Sequence, residues 1–199
     1  MDSVTHNGSW SALLSGSRTA LKEIYLEHHQ SLFQYGMRML SDEDGTRDCV
    51  QNLFVKIWTN HKRLAYTNNT KYYLMSALRN EIINFRAKEQ RHEHSNLNEE
   101  IFVLDFSVES AYIQKEENLE QTQKLADAMN LLTSRQKEII YLRYFEELDY
   151  DQIAEMMDIT VKGAYKLSAR ALDALKDIMN VDKMMLIGIL MSAKQHYLS

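Results

Sequence analysis

The chain has 199 residues, of which 45% are hydrophobic and 26% are charged, and its formal net charge is −5. This composition excludes a wholly disordered chain, and the length suits either one domain or two domains of roughly 80 residues each. Proline is absent, glycine occurs six times and there is a single cysteine. A turn-rich β protein and an intrachain disulfide framework are therefore excluded. We predict an all-α protein of a reducing compartment, the cytoplasm.

Neither end of the chain predicts a membrane or secretory segment. The amino terminus has no basic start followed by a long apolar run, as a secretory signal would. The longest apolar run, at residues 184–191, is far shorter than the roughly 20 residues that a spanning helix requires. We therefore expect a protein that does not itself span a membrane.

Three stretches of helical periodicity occupy the first half of the chain. Apolar residues recur at spacings of three and four over 21–40, after the polar break at 41–46, and over 71–90. We predict three helices in a first domain, residues 1–91, whose core begins at about residue 21. The strongest stripe belongs to the second helix and consists of Val50, Leu53, Phe54, Ile57 and Trp58.

An acidic linker is predicted over residues 92–118, where the periodicity is lost. Residues 92–121 contain eight acidic residues and one lysine, whereas residues 71–91 contain five basic and two acidic residues. The apolar residues within 101–106 are too many for a solvated tether, so we expect part of the linker to lie against one of the domains or a partner.

The second domain is predicted at residues 119–181. Its helices are expected at about 119–132, from 134 to about 145–148, at 150–157 and at 161–180. An apolar tail follows at 182–199, and its run of apolar residues is too long to be left in water. Packing on the second domain and a surface for a regulatory or membrane-proximal partner are the two alternatives for this tail.

The spacing in the second domain is that of a helix-turn-helix. Ala154 is small enough for two helices to cross closely, and Asp158 tolerates the positive φ of the turn. Ile159 fills the corner from inside, and Thr160 can cap the next helix. An ordinary helical hairpin with a solvated lysine face is the alternative. The residues predicted to face the major groove are Thr160, Val161, Lys162, Tyr165, Lys166, Ala169 and Arg170.

The first domain carries motifs that resemble those of sigma factors. Residues 48–58 resemble the polymerase-docking helix, and residues 73–74, 78–80 and 86 resemble the helix that opens and reads the upstream promoter element. The resemblance covers most of 21–91 and 119–176, with both halves in the family's order. The chain is similar to the extracytoplasmic-function (ECF) group of the sigma-seventy family, and in particular to its iron-uptake-like branch, which is common in Bacteroidetes.

The resemblance implies an RNA polymerase specificity subunit with two contact surfaces in its first domain. For Phe54 and Trp58 a place in the core is an equal alternative, and for the minus-ten set the alternative is a surface loop before a basic helix. The residues expected to bind polymerase are Asp48, Gln51, Asn52, Phe54, Lys56 and Trp58. The residues expected to bind the minus-ten element are Tyr66, Asn68, Asn69, Lys71, Tyr73, Arg79, Asn80, Arg86 and Lys88. The face of the helix-turn-helix would read the minus-thirty-five element.

Core RNA polymerase, promoter DNA and an anti-sigma factor are the partners that the resemblance implies, with no cofactor, metal or small-molecule substrate. We expect no enzymatic activity, because the sequence has no phosphate-binding glycine loop, paired cysteines or zinc motif. The histidines at 28–29, 92 and 94 are interpreted as surface residues rather than ligands. A stand-alone helix-turn-helix regulator that binds duplex DNA is the alternative function.

Overall fold

A computed structural model describes residues 3–93, 102–104 and 116–197, and all the regular structure in these ranges is helical. The predicted all-α class is confirmed. The chain divides into two compact units, Met1–Glu99 and Glu100–Ser199. The dividing point falls within the predicted linker, most of which lies outside the described residues.

The described residues of unit 1, 3–93, form four α-helices. Helix α1 spans Ser3–Leu14, α2 spans Arg18–Leu40, α3 spans Glu43–Asn60 and α4 spans Thr70–Glu93. A short 3-10 turn, His61–Arg63, follows α3. Helix α2 packs against the other three helices, and α3 also packs against α4. The expected helices are present, but the prediction of three helices is wrong because α1 precedes them.

Helix α1 belongs to the core of unit 1. Its residues Trp10 and Leu13 are fully buried. Only a few apolar residues are scattered among serine, threonine, asparagine and glycine in this segment, so it has no periodic stripe from which a helix could be predicted. Burial of these two side chains against the rest of unit 1, rather than local propensity, accounts for α1.

Local signals explain how α2 and α3 begin and how closely they approach. Ser17 accepts a hydrogen bond from the backbone N–H of Ala20 and caps α2. Asp42 caps α3, because its side chain accepts hydrogen bonds from two backbone N–H groups in the first turn of the helix. A Cβ at Gly36 of α2 would lie 2.7 Å from Cγ2 of the buried Thr46 of α3, so only glycine allows this crossing.

Unit 2 is built around α8. The helices are α5 (Glu116–Asn130), α6 (Ser134–Ile140), α7 (Tyr150–Met156), α8 (Val161–Met179) and α9 (Lys183–Tyr197). Helix α6 continues into a π turn over Tyr141–Phe145, which agrees with the predicted end near residue 145. Helices α5, α6, α7 and α9 all pack against α8.

The predicted tail is α9, and it packs on unit 2. Leu186, Ile189, Leu190 and Ala193 are buried there, and Lys194 pairs with Glu147 just beyond the π turn. Met184, Met185 and Met191 remain exposed on the opposite side of α9. Of the two alternatives, packing on the second domain is what the structure shows. None of the described helices has the length and apolar character needed to cross a membrane.

A short piece of the predicted linker also joins the core of unit 2. Phe102 and Leu104 are buried, and the ring of Phe102 lies 5.7 Å from that of Tyr141 between centroids. The expectation that part of this acidic stretch lies against a domain is confirmed for residues 102–104. The remaining residues of 94–115 lie outside the described part of the chain.

Candidate functional site

Helix α3 presents a polar face to solvent. Asp48, Gln51, Asn52 and Lys56 are all exposed, whereas Phe54 on the same helix is only 8% exposed. Lys56 is paired with Glu81 of α4, with 2.5 Å between Nζ and Oε2. This ion pair fixes one edge of the face against α4, and the other three side chains project from it as short polar groups.

An apolar groove of about 540 Å³ lies beside this polar face, between α2 and α3. Val55 is 55% exposed within it, and Tyr25 of α2 packs edge-on against Phe54 with 5.0 Å between ring centroids. The groove thus offers apolar surface next to polar groups, which is the composition of a protein-binding surface. Its lining residues are Leu21, Tyr25, His29, Arg47, Val50, Gln51, Phe54, Val55, Trp58 and Thr59.

Trp58 stands at one end of the groove and is half-buried. The ring of His61 stacks on it with 4.9 Å between centroids, and the guanidinium of Arg18 lies 5.7 Å from the Trp58 ring. Such stacking and cation–π contacts hold an indole in one orientation. Of the two aromatic residues predicted to bind polymerase, Phe54 is therefore mainly a core residue, and Trp58 lies at the edge of the core.

The loop between the 3-10 turn and α4 exposes its tip and is anchored at its end. Tyr66 is 62% exposed and Asn68 is also exposed. Asn69, by contrast, caps α4, because its Oδ1 accepts a hydrogen bond from the N–H of Tyr72 at 2.9 Å. Thr67 exchanges hydrogen bonds with the backbone of Asn69, which closes the turn.

Trp10 of α1 anchors the other end of this loop. Its indole N–H donates to the carbonyl of Ala65 at 3.2 Å, and its ring lies 4.8 Å from that of Tyr73 between centroids. Burial raises the pKa of the Tyr73 hydroxyl. Sequence reasoning missed Trp10, and the one available signal was a large aromatic residue isolated in a polar segment.

The basic residues of α4 are distributed unevenly between surface and interior. Asn80 and Lys88 are exposed, and Lys71 and Arg86 are half-buried. Arg79 is only 6% exposed. Arg79 was expected on the DNA-contacting face, but α4 turns it inward among the packed helices, so it is not part of the exposed surface.

The turn between α7 and α8 has the predicted helix-turn-helix geometry. Ala154 is buried, and Asp158 adopts a φ of 51°. Thr160 caps α8 by accepting a hydrogen bond from the N–H of Gly163 at 3.0 Å. Arg135 of α6 donates to the carbonyl of Met157 at 2.9 Å, which ties the turn to the rest of unit 2.

The outward face of α8 is accessible along its first three turns. Ala164, Ala171 and Leu175 are buried on the inner face. Every residue predicted to face the major groove is exposed: Thr160, Val161, Lys162, Tyr165, Lys166, Ala169 and Arg170. The surface thus combines three cations at four-residue spacing with one aromatic ring, which suits phosphates and base edges.

An aromatic pair that sequence reasoning did not single out supports Tyr165. The ring of Tyr150 lies 4.0 Å from that of Tyr165 between centroids, and the guanidinium of Arg143 lies 5.1 Å from the Tyr150 ring. The Tyr150 hydroxyl is 3.0 Å from Oγ of the buried Ser168. The ring of Tyr165 on α8 is therefore held in place by Tyr150 at the start of α7.

His28 and His29 pack against neighbouring side chains, and the interpretation of His28 as a surface residue is wrong because it is buried. His28 is 9% exposed beside Glu27, and His29 lies between the rings of Tyr25 and Phe33. The described residues contain no group of three or more His, Cys, Asp or Glu side chains that could hold a metal ion. The side chains of His92 and His94 lie outside the described part.

Comparison with known proteins identifies both units. The family model "Sigma-70 region 2" matches residues 24–92, and "Sigma-70, region 4" matches residues 122–175. The chain is 22% identical over 143 residues to the RNA polymerase sigma factor YlaC of Bacillus subtilis (strain 168), a match that covers 70% of this chain and 80% of YlaC.

Two solved structures have the same fold. One is the sigma factor RpoE of Bartonella quintana in complex with the anti-sigma factor NepR, with a TM-score of 0.59 and 22% identity, covering 81% of this chain and 97% of the other. The second is CnrH in complex with the cytosolic domain of CnrY, with a TM-score of 0.58 and 16% identity, covering 87% of this chain and 96% of the other.

Proposed function

We propose a role in transcription initiation for each surface of this chain, which belongs to the sigma-70 family through its region 2 and region 4 domains. The two matched segments together span more than half of the chain and occur in the order 24–92, then 122–175. The protein is a sigma factor that directs promoter recognition. The observation that carries this conclusion is the presence of both domains on one chain.

We assign polymerase docking to the polar face of α3. Asp48, Gln51 and Asn52 are exposed beside the apolar groove, so an incoming protein helix would meet polar groups at the rim and apolar surface in the middle. Trp58 supplies an aromatic end to this surface. Lys56 acts through its ion pair with Glu81, because the pair holds its ammonium group at the edge of α4.

We assign the minus-ten element to the loop that exposes Tyr66 and Asn68 and to the adjoining α4. An exposed tyrosine ring can stack on an unpaired base, and an asparagine amide can bond to its edge. Asn69 and Tyr73 position the loop rather than face solvent fully. The exposed or half-exposed residues of α4 available to the strand and its phosphates are Lys71, Asn80, Arg86 and Lys88.

We assign the minus-thirty-five element to the exposed face of α8. Lys162, Lys166 and Arg170 lie on one stripe, where they can reach phosphates and guanine edges in the major groove. The held ring of Tyr165 adds an apolar contact of fixed orientation. Thr160 serves first as the helix cap and presents its exposed side at the amino terminus of α8.

We place the chain in the ECF group, since regions 2 and 4 are the two sigma-70 segments that match and the related chains are of similar extent. Assignment to the iron-uptake-like branch rests on motif resemblance alone. Both structural relatives are seen with a protein partner, one of them a named anti-sigma factor. By analogy we propose an anti-sigma factor as a partner and the cytoplasm as the site of action.

Run-off transcription with core polymerase tests the function. The purified protein should direct transcription from a promoter selected from a library, and Asp48→Ala or Gln51→Ala should weaken core binding in a pull-down several-fold without unfolding unit 1. Asp44→Ala is the matched control, because Asp44 is an exposed carboxylate at the start of the same helix.

A stand-alone regulator would behave differently in the same experiments. Tight sequence-specific binding of the isolated protein to duplex DNA, with no stimulation of core polymerase, would overturn the sigma-factor assignment. Unchanged core affinity in both α3 variants would leave the function intact but refute the docking face.

A further inference from the structure

Helix α1 lies outside the segment that the region 2 family model matches, which begins at residue 24. It packs against α2, the 3-10 turn and α4, and so reaches both sides of the loop that exposes Tyr66. The function proposed above gives α1 no role. Its position beside this loop suggests that α1 acts on the loop.

Trp10 makes two contacts that bracket the loop. Its N–H donates to the carbonyl of Ala65, the residue immediately before Tyr66, at 3.2 Å. Its ring packs on Tyr73, in the first turn of α4, with 4.8 Å between centroids. Because Trp10 is fully buried, the surrounding side chains hold its indole in place. The indole in turn contacts both ends of the loop.

The loop between these two contacts is anchored at its ends and exposed at its tip. Asn69 caps α4 and Thr67 closes the turn, while Tyr66 is 62% exposed. A loop already held in one conformation loses little conformational entropy when it captures a ligand. Unstacking a base already costs free energy, so a loop that is ordered beforehand captures the unstacked base more often.

We propose that Trp10 is a positioning residue for promoter opening. Its bond to Ala65 and its contact with Tyr73 hold residues 65–73 in the conformation that accepts the unpaired minus-ten base. Trp10 acts through the loop and does not itself touch DNA. This inference rests on the proposed function, since it assumes that the loop reads the minus-ten element.

Trp10→Phe keeps an aromatic ring near Tyr73 but removes both the N–H donor and the volume of one ring from this buried site. Trp10→benzothienylalanine, which keeps the two-ring shape without the N–H, is a second variant that disturbs the core least. Ile24→Val in the buried part of α2 is the control for a loss of core packing, since it removes one buried methyl group and leaves the Trp10 side chain unaltered.

Two measurements decide the matter. In the uncomplexed protein, hydrogen exchange of the backbone amides at 66–73 should be about three- to tenfold faster in the Trp10 variants, the range expected for loss of one hydrogen bond, and unchanged in Ile24→Val. With core polymerase, permanganate reactivity of unpaired minus-ten thymines should fall by a similar factor. The preference for an intact over a substituted minus-ten element should also weaken, while core affinity stays constant.

The possible failures are distinguishable. If the wild-type protein opens no promoter with core polymerase, the proposed function fails and this inference fails with it. If the wild type opens promoters and both Trp10 variants match it in loop exchange or in opening, the inference alone is overturned. Equal effects of Ile24→Val and Trp10→Phe on opening would also overturn it, because stability alone would then explain the loss.

Discussion

The two surfaces assigned to DNA are held in place in opposite ways. Around the helix-turn-helix, the cap of α7 at Asp149, the turn residue Asp158 and the cap of α8 at Thr160 lie within a dozen residues of one another. The loop that exposes Tyr66 depends on Trp10, which lies 55 residues before its hydrogen-bond partner Ala65. A surface built from neighbours in sequence can be recognised in the sequence, whereas one that depends on a distant residue cannot.

Trp10→Ala should lower the free energy of unfolding most, and this loss should be confined to unit 1. Removing a fully buried indole costs about 3–5 kcal/mol in comparable cores. Hydrogen exchange in increasing denaturant should show this loss for amides of α2, α3 and α4 and no change for α8. An equal loss in both units would show that the helix-turn-helix depends on Trp10 as well, and the comparison would fail.

Asp158→Val should produce a smaller effect confined to unit 2. A φ of 51° is costly for a β-branched residue, and we expect a loss of about 1–2 kcal/mol in the free energy of unfolding. Asp158→Gly should retain or raise stability, because glycine adopts this φ without strain. Urea unfolding followed by exchange of α8 amides measures both variants, and a gel shift on minus-thirty-five duplex should follow the same order. Similar stability for valine and glycine would contradict the role given to the turn.

The stability of unit 1 at alkaline pH should depend on Cys49. Burial, followed by the nearby charges of Glu81 and Asp48, raises the pKa of this thiol from 9.0 to about 11. The folded state therefore keeps the proton that the unfolded state releases. This contribution is fully present below pH 9 and is lost as the pH rises from 9 towards 11.

Cys49→Ala provides the comparison for that effect. Wild-type unit 1 should lose more stability than the variant between pH 9 and 11, whereas unit 2, which has no cysteine, should respond identically in both proteins. Denaturant midpoints recorded across this pH range measure the difference. Parallel pH profiles for wild type and variant in unit 1 would show that the buried thiol makes no such contribution.

Helical periodicity predicted the elements whose apolar residues form a stripe. Helices α2, α3 and α4 in unit 1 appear close to their expected bounds, and so do the caps and turn around α8. In these places the residue that determines the structure lies within one or two turns of the structure it determines. The exposure of the face of α8 follows from the same periodicity, since burying Ala164 and Ala171 directs its other side outward.

Features that arise from tertiary packing could not be predicted in this way. Helix α1 has no stripe, and its existence depends on burial of Trp10 and Leu13 against later helices. Arg79 was expected to contact DNA because of the family resemblance of residues 78–80, yet the rotation of α4 against α2 and α3 places it inside. The support of Tyr165 by Tyr150 required knowledge of how α7 crosses α8. The roles of the individual site residues remain predictions.

Trp10 and Trp58 are the two tryptophans of the sequence, and both belong to unit 1. Under selective indole excitation, unit 1 therefore fluoresces and unit 2 does not. The fully enclosed indole of Trp10 should emit at a shorter wavelength than that of the half-buried Trp58. The natural sequence thus contains an optical probe at each of its two proposed region 2 surfaces, one beneath the promoter loop and one at the end of the groove, which single-tryptophan variants can read separately.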